Sequence, residues 1–251
     1  MQFFIRGISW VVQKTMGTSG SETLSVVGSI FVGQTEAPLL VRPFVKGMTK
    51  SEIMTVMVGG FATVAGGVMA IYVAMLDDIP GIAGHLMAAS IMSAPAAIVV
   101  AKIMYPETEE SETSGTLQIK VEKSAENVME ALGDGAIEGM KLAANIGAML
   151  IAIVAMVAMV DGLLSFANTS MAEIFGVIFR PLAFAMGAPW DEAGILGELL
   201  GKKIVLTELI AYADLAELRA QNALSDRTAI LASYALCGFA NFASIGIQMG
   251  G

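Results

Sequence analysis

Gly33-Gln34-Thr35-Glu36-Ala37-Pro38 decides how the rest of the chain is read. Three polar side chains in a row, one of them an acid, interrupt an apolar run from Leu24 through Val41. An ionisable group at mid-bilayer depth costs about 2.5–3.5 kcal/mol on insertion scales, so it is kept there only where it faces a protein interior or a wet cavity. Gly33 and Pro38 both disfavour a continuous helix and leave backbone groups to be satisfied by something other than the next turn. The stretch therefore reads as the tip of a re-entrant hairpin with Glu36 as a site candidate, against the plainer alternative of an acidic loop outside the bilayer.

Composition supports the membrane reading. Of 251 residues, 55% are hydrophobic and 15% charged, a balance beyond what the surface of a soluble domain tolerates. The 27 glycines and 18 methionines suit closely packed helices with small residues at their contacts and adaptable thioethers in the gaps. A formal charge of -9 excludes a nucleic-acid surface, which needs clustered Lys and Arg. The single Cys237 cannot form an intramolecular disulfide and reads as a small buried residue. Met1 to Gly17 carries Arg6 and Lys14 and lacks the pattern of a cleaved leader, so insertion is expected to rest on internal spans.

Outward from the tip, Phe3 to Met16 is expected to be an amphipathic arm, broken by the turn residues Thr18-Ser19-Gly20-Ser21-Glu22. Arg42, Lys46 and Lys50 form a basic flank. Ile53 to Leu76 is long enough to span, with Gly59-Gly60 and Ala65-Gly66-Gly67 predicting a break near Thr63. His85 to Tyr105 crosses back, with a kink expected at Pro95. His85 reads as an interfacial or packing residue, since no carboxylate lies at helical spacing from it.

Residues 106–141 are expected to form a polar linker and, from Val121 to Met140, a helix lying in the interface. Leu142 to Val160 is the cleanest span. Loop charge alternates from basic at 42–50 to acidic at 77–84, basic at 102–141 and acidic after 160, which predicts three crossings with the basic loops inside; Arg180 does not fit.

The last third repeats the plan of the first. Gly201-Lys202-Lys203-Ile204-Val205-Leu206-Thr207-Glu208-Leu209 is a second apolar stretch, broken at glycine and carrying an acid, and Thr207-Glu208 echoes Thr35-Glu36. Each pair precedes a span with a weak middle, Ala62-Thr63-Val64-Ala65-Gly66-Gly67 in one half and Cys237-Gly238-Phe239-Ala240-Asn241-Phe242-Ala243-Ser244 in the other. Interrupted apolar segments at corresponding positions of two halves point to a transporter's central site. The expected fold is an all-α membrane protein, a multi-span helical bundle with two re-entrant helical hairpins and two broken helices in an inverted repeat. Its parts are 1–105 (first hairpin and two spans), 106–141 (linker and interfacial helix), 142–168 (scaffold span) and 169–251 (second hairpin and broken span).

Gly33-Gln34-Thr35-Glu36-Ala37-Pro38-Leu39-Leu40-Val41, Ala235-Leu236-Cys237-Gly238-Phe239-Ala240-Asn241-Phe242 and Gly139-Met140-Lys141-Leu142-Ala143 closely resemble the concentrative nucleoside transporters. The resemblance runs over nearly the whole chain and covers mainly the family's transport half and central scaffold span. It implies an ion-coupled symporter in the inner or plasma membrane, multi-pass, homotrimeric and in contact with lipid, taking up a uridine-like nucleoside without an organic cofactor. It implies that Gln34, Thr35 and Glu36 surround the nucleobase with Val68 as an apolar neighbour. Glu208, Asn241 and Ser244 are implied at the ribose hydroxyls, with Phe239 packed nearby.

The resemblance places a coupling Na+ at Ser29, Val32, Thr63 and Val64. Two departures leave Na+ and H+ both open: Ser29 stands where many members have Asn, and Thr207 precedes Glu208 where Asn is usual. An enzyme finds little support, because the chain has one His, one Cys and neither a metal-binding His pair nor a nucleophile elbow. The remaining alternatives are a truncated domain that binds nucleoside without transporting it and a membrane interaction protein with no substrate.

Overall fold

The computed structural model describes residues 10–34, 37, 41–111 and 127–250, and among these every regular element is helical. After a helical stretch at 10–16, the first half contains α1 (Gly20–Ser29), α2 (Lys50–Ala62), α3 (Gly66–Met75) and α4 (Ile82–Met104). The long α5 (Val128–Leu164) leads to α6 (Met171–Ala185), α7 (Trp190–Val205), α8 (Glu208–Ala220), α9 (Asp226–Leu236) and α10 (Phe242–Gly250). Three stretches are long and apolar enough to cross a membrane, Lys50–Met75, Ile82–Met104 and Leu132–Ala167, matching the three expected spans.

Polar caps set the helix starts. Ser19 and Glu22 form a reciprocal capping box at α1, as do Thr49 and Glu52 at α2. Thr18 to Glu22 is therefore more than the turn expected from composition: Gly20, Ser21 and Glu22 are already in α1. Thr207 and Ser225 cap α8 and α9 singly, their side-chain oxygens accepting from the Ile210 and Thr228 N–H groups.

Two further boundaries differ from the sequence reading. The second hairpin turns at Leu206-Thr207, between α7 and α8, while Gly201 stays inside α7. Gly201 is there for packing, because a Cβ would collide with the Ala172 carbonyl of α6. Val128 to Leu164 is one unbroken helix, so the expected separation of an interfacial helix from a scaffold span at 141 and 142 has no break in the backbone.

Two apolar clusters hold the bundle. The larger joins the halves, with Tyr72 and Leu76 of α3 and Leu86 of α4 packed with Leu196 and Leu199 of α7, Tyr212 of α8 and Leu236 of α9. Within it the Tyr72 and Tyr212 rings stack with centroids 4.1 Å apart. The smaller seats Val26 and Ile30 of the first hairpin against Ala94 and Ile98 of α4.

Polar ties close the ends. His85 Nδ1 lies 3.2 Å from the Tyr234 hydroxyl, the packing role expected of it. Arg180, which does not fit the charge alternation, stacks over the Trp190 ring at 4.5 Å. Arg219 at the end of α8 clasps Asp78 of the α3–α4 loop at 3.0 Å and Asp226 of α9 at 2.8 Å. Ser225 donates to Glu192 of α7 at 2.8 Å, tying the other leg of the hairpin to the same point. Burial, slight here, pushes the Glu192 carboxyl up, and hydrogen bonds from Thr228 and Ser225 outweigh it and hold the group below its ordinary range.

At the opposite end Lys102 of α4 pairs with Glu22 at 2.8 Å, and the Glu22 side chain is 2% exposed. Lys102→Met leaves that carboxylate buried without its cation and is expected to destabilise the fold by about 3 kcal/mol, the low end of the buried-pair range because Lys102 itself is partly exposed. The check is the thermal midpoint in detergent, where adding Glu22→Gln should recover part of the loss.

Candidate functional site

The two broken helices meet at the centre. After α2 ends at Ala62, Thr63 is extended (φ -108°, ψ 162°) and α3 restarts at Gly66. The expected break near Thr63 is present. In the second half α9 ends at Leu236 and α10 begins at Phe242. Gly238 between them has φ +95°, and a Cβ there would lie 2.8 Å from the carbonyl oxygens of Phe61 and Ala62. Only glycine lets one break rest on the other's exposed backbone.

Glu208 opens α8 just past the hairpin turn and is 4% exposed. Its Oε1 accepts from the Tyr72 hydroxyl at 3.0 Å and its Oε2 from Asn241 Nδ2 at 2.7 Å. Asn241 Oδ1 in turn accepts from the Ser244 backbone N–H at 2.7 Å, which caps α10. Ser244 Oγ is buried and has no hydrogen-bond partner among the described residues. Glu208, Asn241 and Ser244, expected together, are thus one connected group, with Phe239 packed against the main core.

From the other half, Gln34 is 6% exposed and its Oε1 also lacks a partner among the described residues. Its Cβ lies against Gly60 of α2, where a Cβ would come within 3.3 Å of it. Val68 packs against the main core from α3. Thr35 and Glu36 lie outside the described residues, and the expected meeting of Glu36 with Glu208 lies there with them.

Three participants were missed from sequence. Tyr72 lies one helical turn beyond Val68 on the same face of α3, a spacing that could have flagged it. Lys203 is 7% exposed and donates to the carbonyls of Ala235 at 3.1 Å and Cys237 at 3.0 Å; a lysine in an apolar hairpin was the available signal. Gln248 donates to the Met57 carbonyl at 3.1 Å and shares Gly60 with Gln34. Nothing in the sequence pattern marks it.

Ser29, Val32, Thr63 and Val64, the residues expected at a cation, lie on the first hairpin and at the first break. Hairpin and break are joined by the Gly66 N–H donating to the Phe31 carbonyl at 3.3 Å. Ser29 and Thr63 are each 1% exposed. Their hydroxyls donate to Ser25 O at 2.9 Å and Gly59 O at 3.0 Å, which turns oxygen lone pairs outward. With carbonyls at Val32, Thr63 and Val64, this set offers hard oxygens and no titratable group.

Known proteins resemble this chain along its whole length. The profile of a family described as "Na+ dependent nucleoside transporter C-terminus" matches residues 85–251, and one described as "Nucleoside recognition" matches 1–78. Sodium/nucleoside cotransporter 1 of Mus musculus is 44% identical over all of this chain and 41% of its own length. An uncharacterized transporter of Haemophilus influenzae is 44% identical over all of this chain and 62% of its own length. Among solved structures, a CNTnw variant in an outward-facing state matches with TM-score 0.78 and 42% identity, covering 100% of this chain and 60% of that one. CNTnw in an inward-facing substrate-bound state matches with TM-score 0.78 and 41% identity, covering 99% and 60%. The chain spans less than two thirds of the length of these relatives.

Proposed function

The chain belongs to the Na+-dependent nucleoside transporter family, and on that premise we propose that it carries the substrate and cation sites of a nucleoside symporter in a cell membrane. The observation that carries this reading is the Glu208 carboxylate, buried at a hairpin turn and held by Tyr72 and Asn241 from both broken helices. A carboxylate accepts strongly from paired hydroxyls, which suits a ribose. The unpartnered Gln34 amide oxygen and Ser244 hydroxyl supply further buried polar capacity, suited to a base edge and a sugar hydroxyl. With Thr35, Glu36, Val68 and Phe239, these form the proposed substrate site.

The coupling ion is Na+, held by Ser29, Val32, Thr63 and Val64. Hydroxyl and carbonyl oxygens can replace a hydration shell, and none of them binds a proton near neutral pH. The hairpins enter the membrane without crossing it, and α5 presents an apolar surface, including Ile151, Val154 and Met159, to lipid or to other copies in a homotrimer.

Labelled uridine uptake into proteoliposomes tests the reading. Accumulation is expected under an inward Na+ gradient and not under a proton gradient with choline in place of Na+. A correctly inserted protein that accumulates nothing under either gradient overturns the symporter, and accumulation under the proton gradient alone overturns the ion assignment.

A further inference from the structure

Aligning the two hairpins on Thr35-Glu36 and Thr207-Glu208 puts Phe31 and Lys203 at the same place, five residues before the acid. The two breaks share their own repeat, Gly60-Phe61-Ala62 against Gly238-Phe239-Ala240. At the matched position each hairpin is tied to its own broken helix, by different means. In the first half the tie is the Phe31 carbonyl accepting from Gly66 N–H, beside the oxygen-rich cation residues. In the second it is the Lys203 ammonium, donating to Ala235 O and Cys237 O where α9 ends.

Carbonyls at a helix C-terminus are left without intrahelical partners and carry the negative end of the helix dipole, so a cation is the group they favour. Lys203 is 93% buried by its 7% exposure and makes no ion pair within 4.0 Å among the described residues. Its neighbour Lys202 behaves differently, reaching outward to Glu198 at 3.1 Å and Asp214 at 2.7 Å. The chain thus keeps one amine at the surface and commits the adjacent one to two backbone oxygens at the break.

We propose that Lys203 is a tethered cation, a positioning residue whose ammonium holds the carbonyls at the C-terminal end of α9 ahead of the second break. It fixes the Ala235–Cys237 backbone, and through it the approach of Gly238, Phe239 and Asn241 to Glu208. This rests on the symporter reading for its meaning in transport, but the occupancy of the α9 carbonyls can be tested without any nucleoside.

The experiment uses Lys203→Met and Lys203→Gln in the full protein in detergent. Thermal midpoints are read in choline chloride, sodium chloride and methylammonium chloride at one ionic strength, and uridine binding is read in parallel. Lys203→Met should lower the midpoint and weaken uridine binding tenfold or more, and methylammonium, measured against choline, should restore part of both losses. The unsubstituted protein should show no stabilisation by methylammonium.

Lys203→Gln keeps a donor without charge and should show the same cation response; it carries the test if the Met variant does not fold. The proposal is overturned if the losses do not respond to methylammonium, or if Lys203→Gln behaves like the unsubstituted protein. Failure of the unsubstituted protein to bind uridine would count against the symporter reading, while the midpoints still decide the role of Lys203.

Discussion

Glu208→Gln is expected to lower the kcat/KM of uridine uptake by about 10- to 100-fold, since hydrogen bonds to a charged acceptor are worth roughly 1.5–3 kcal/mol. The carboxylate uses one oxygen for Tyr72 and the other for Asn241, and both partners are donors. An amide keeps one acceptor, for Asn241, and turns its NH2 toward the Tyr72 hydroxyl, which can rotate to accept it, so the principal loss is the charge that strengthens both bonds and the acceptor that a substrate hydroxyl would use. Initial rates in proteoliposomes, with the thermal midpoint as a folding control, measure the effect. Tyr72→Phe removes only one of the two contacts and should cost less. In the double variant the two losses should fall short of their sum, because both act on the same oxygen pair. Unchanged uptake by a normally folded Glu208→Gln protein would remove Glu208 from the substrate site.

Gly238→Ala is expected to be the most damaging single methyl in the described chain near the site. The new Cβ would lie 2.8 Å from two carbonyl oxygens, and the φ of +95° is one that alanine resists. Backbone strain of about 1–3 kcal/mol adds to overpacking of about 1–3 kcal/mol, giving roughly 2–6 kcal/mol in all. The breaks would be forced apart, so uptake should fall further than stability alone explains. Gly84→Ala is the matched control, because nothing lies within 4 Å of a Cβ there. Comparable midpoints and uptake for the two variants would mean that contact between the breaks is dispensable.

Periodicity and composition revealed much of this site, and their failures have physical causes. The break at Thr63 was legible because polar and glycine residues inside apolar spans have few other uses, whereas the grouping of Glu208 with Asn241 was implied by the family resemblance. Tyr72 was not, because its bond to Glu208 joins residues 136 positions apart and is decided by helix packing. Gly201 was misread because a glycine can break a helix or let another helix approach, and only the neighbouring Ala172 carbonyl tells which. The continuous α5 shows the same ambiguity for charge: Lys141 marks an interface in sequence, yet the backbone passes through it helically. Thr35 and Glu36, the stretch from which the reading began, remain an expectation drawn from the chain's own repeat.

The clasp around Arg219 has a further consequence. Its acceptors are wet, with the Asp78 and Asp226 side chains 48% and 84% exposed, so their grip is graded by the surrounding electrolyte, whose screening distance is about 8 Å at physiological strength. Brine on that face should slacken the anchorage of the second hairpin's base, and dilute medium should tighten it.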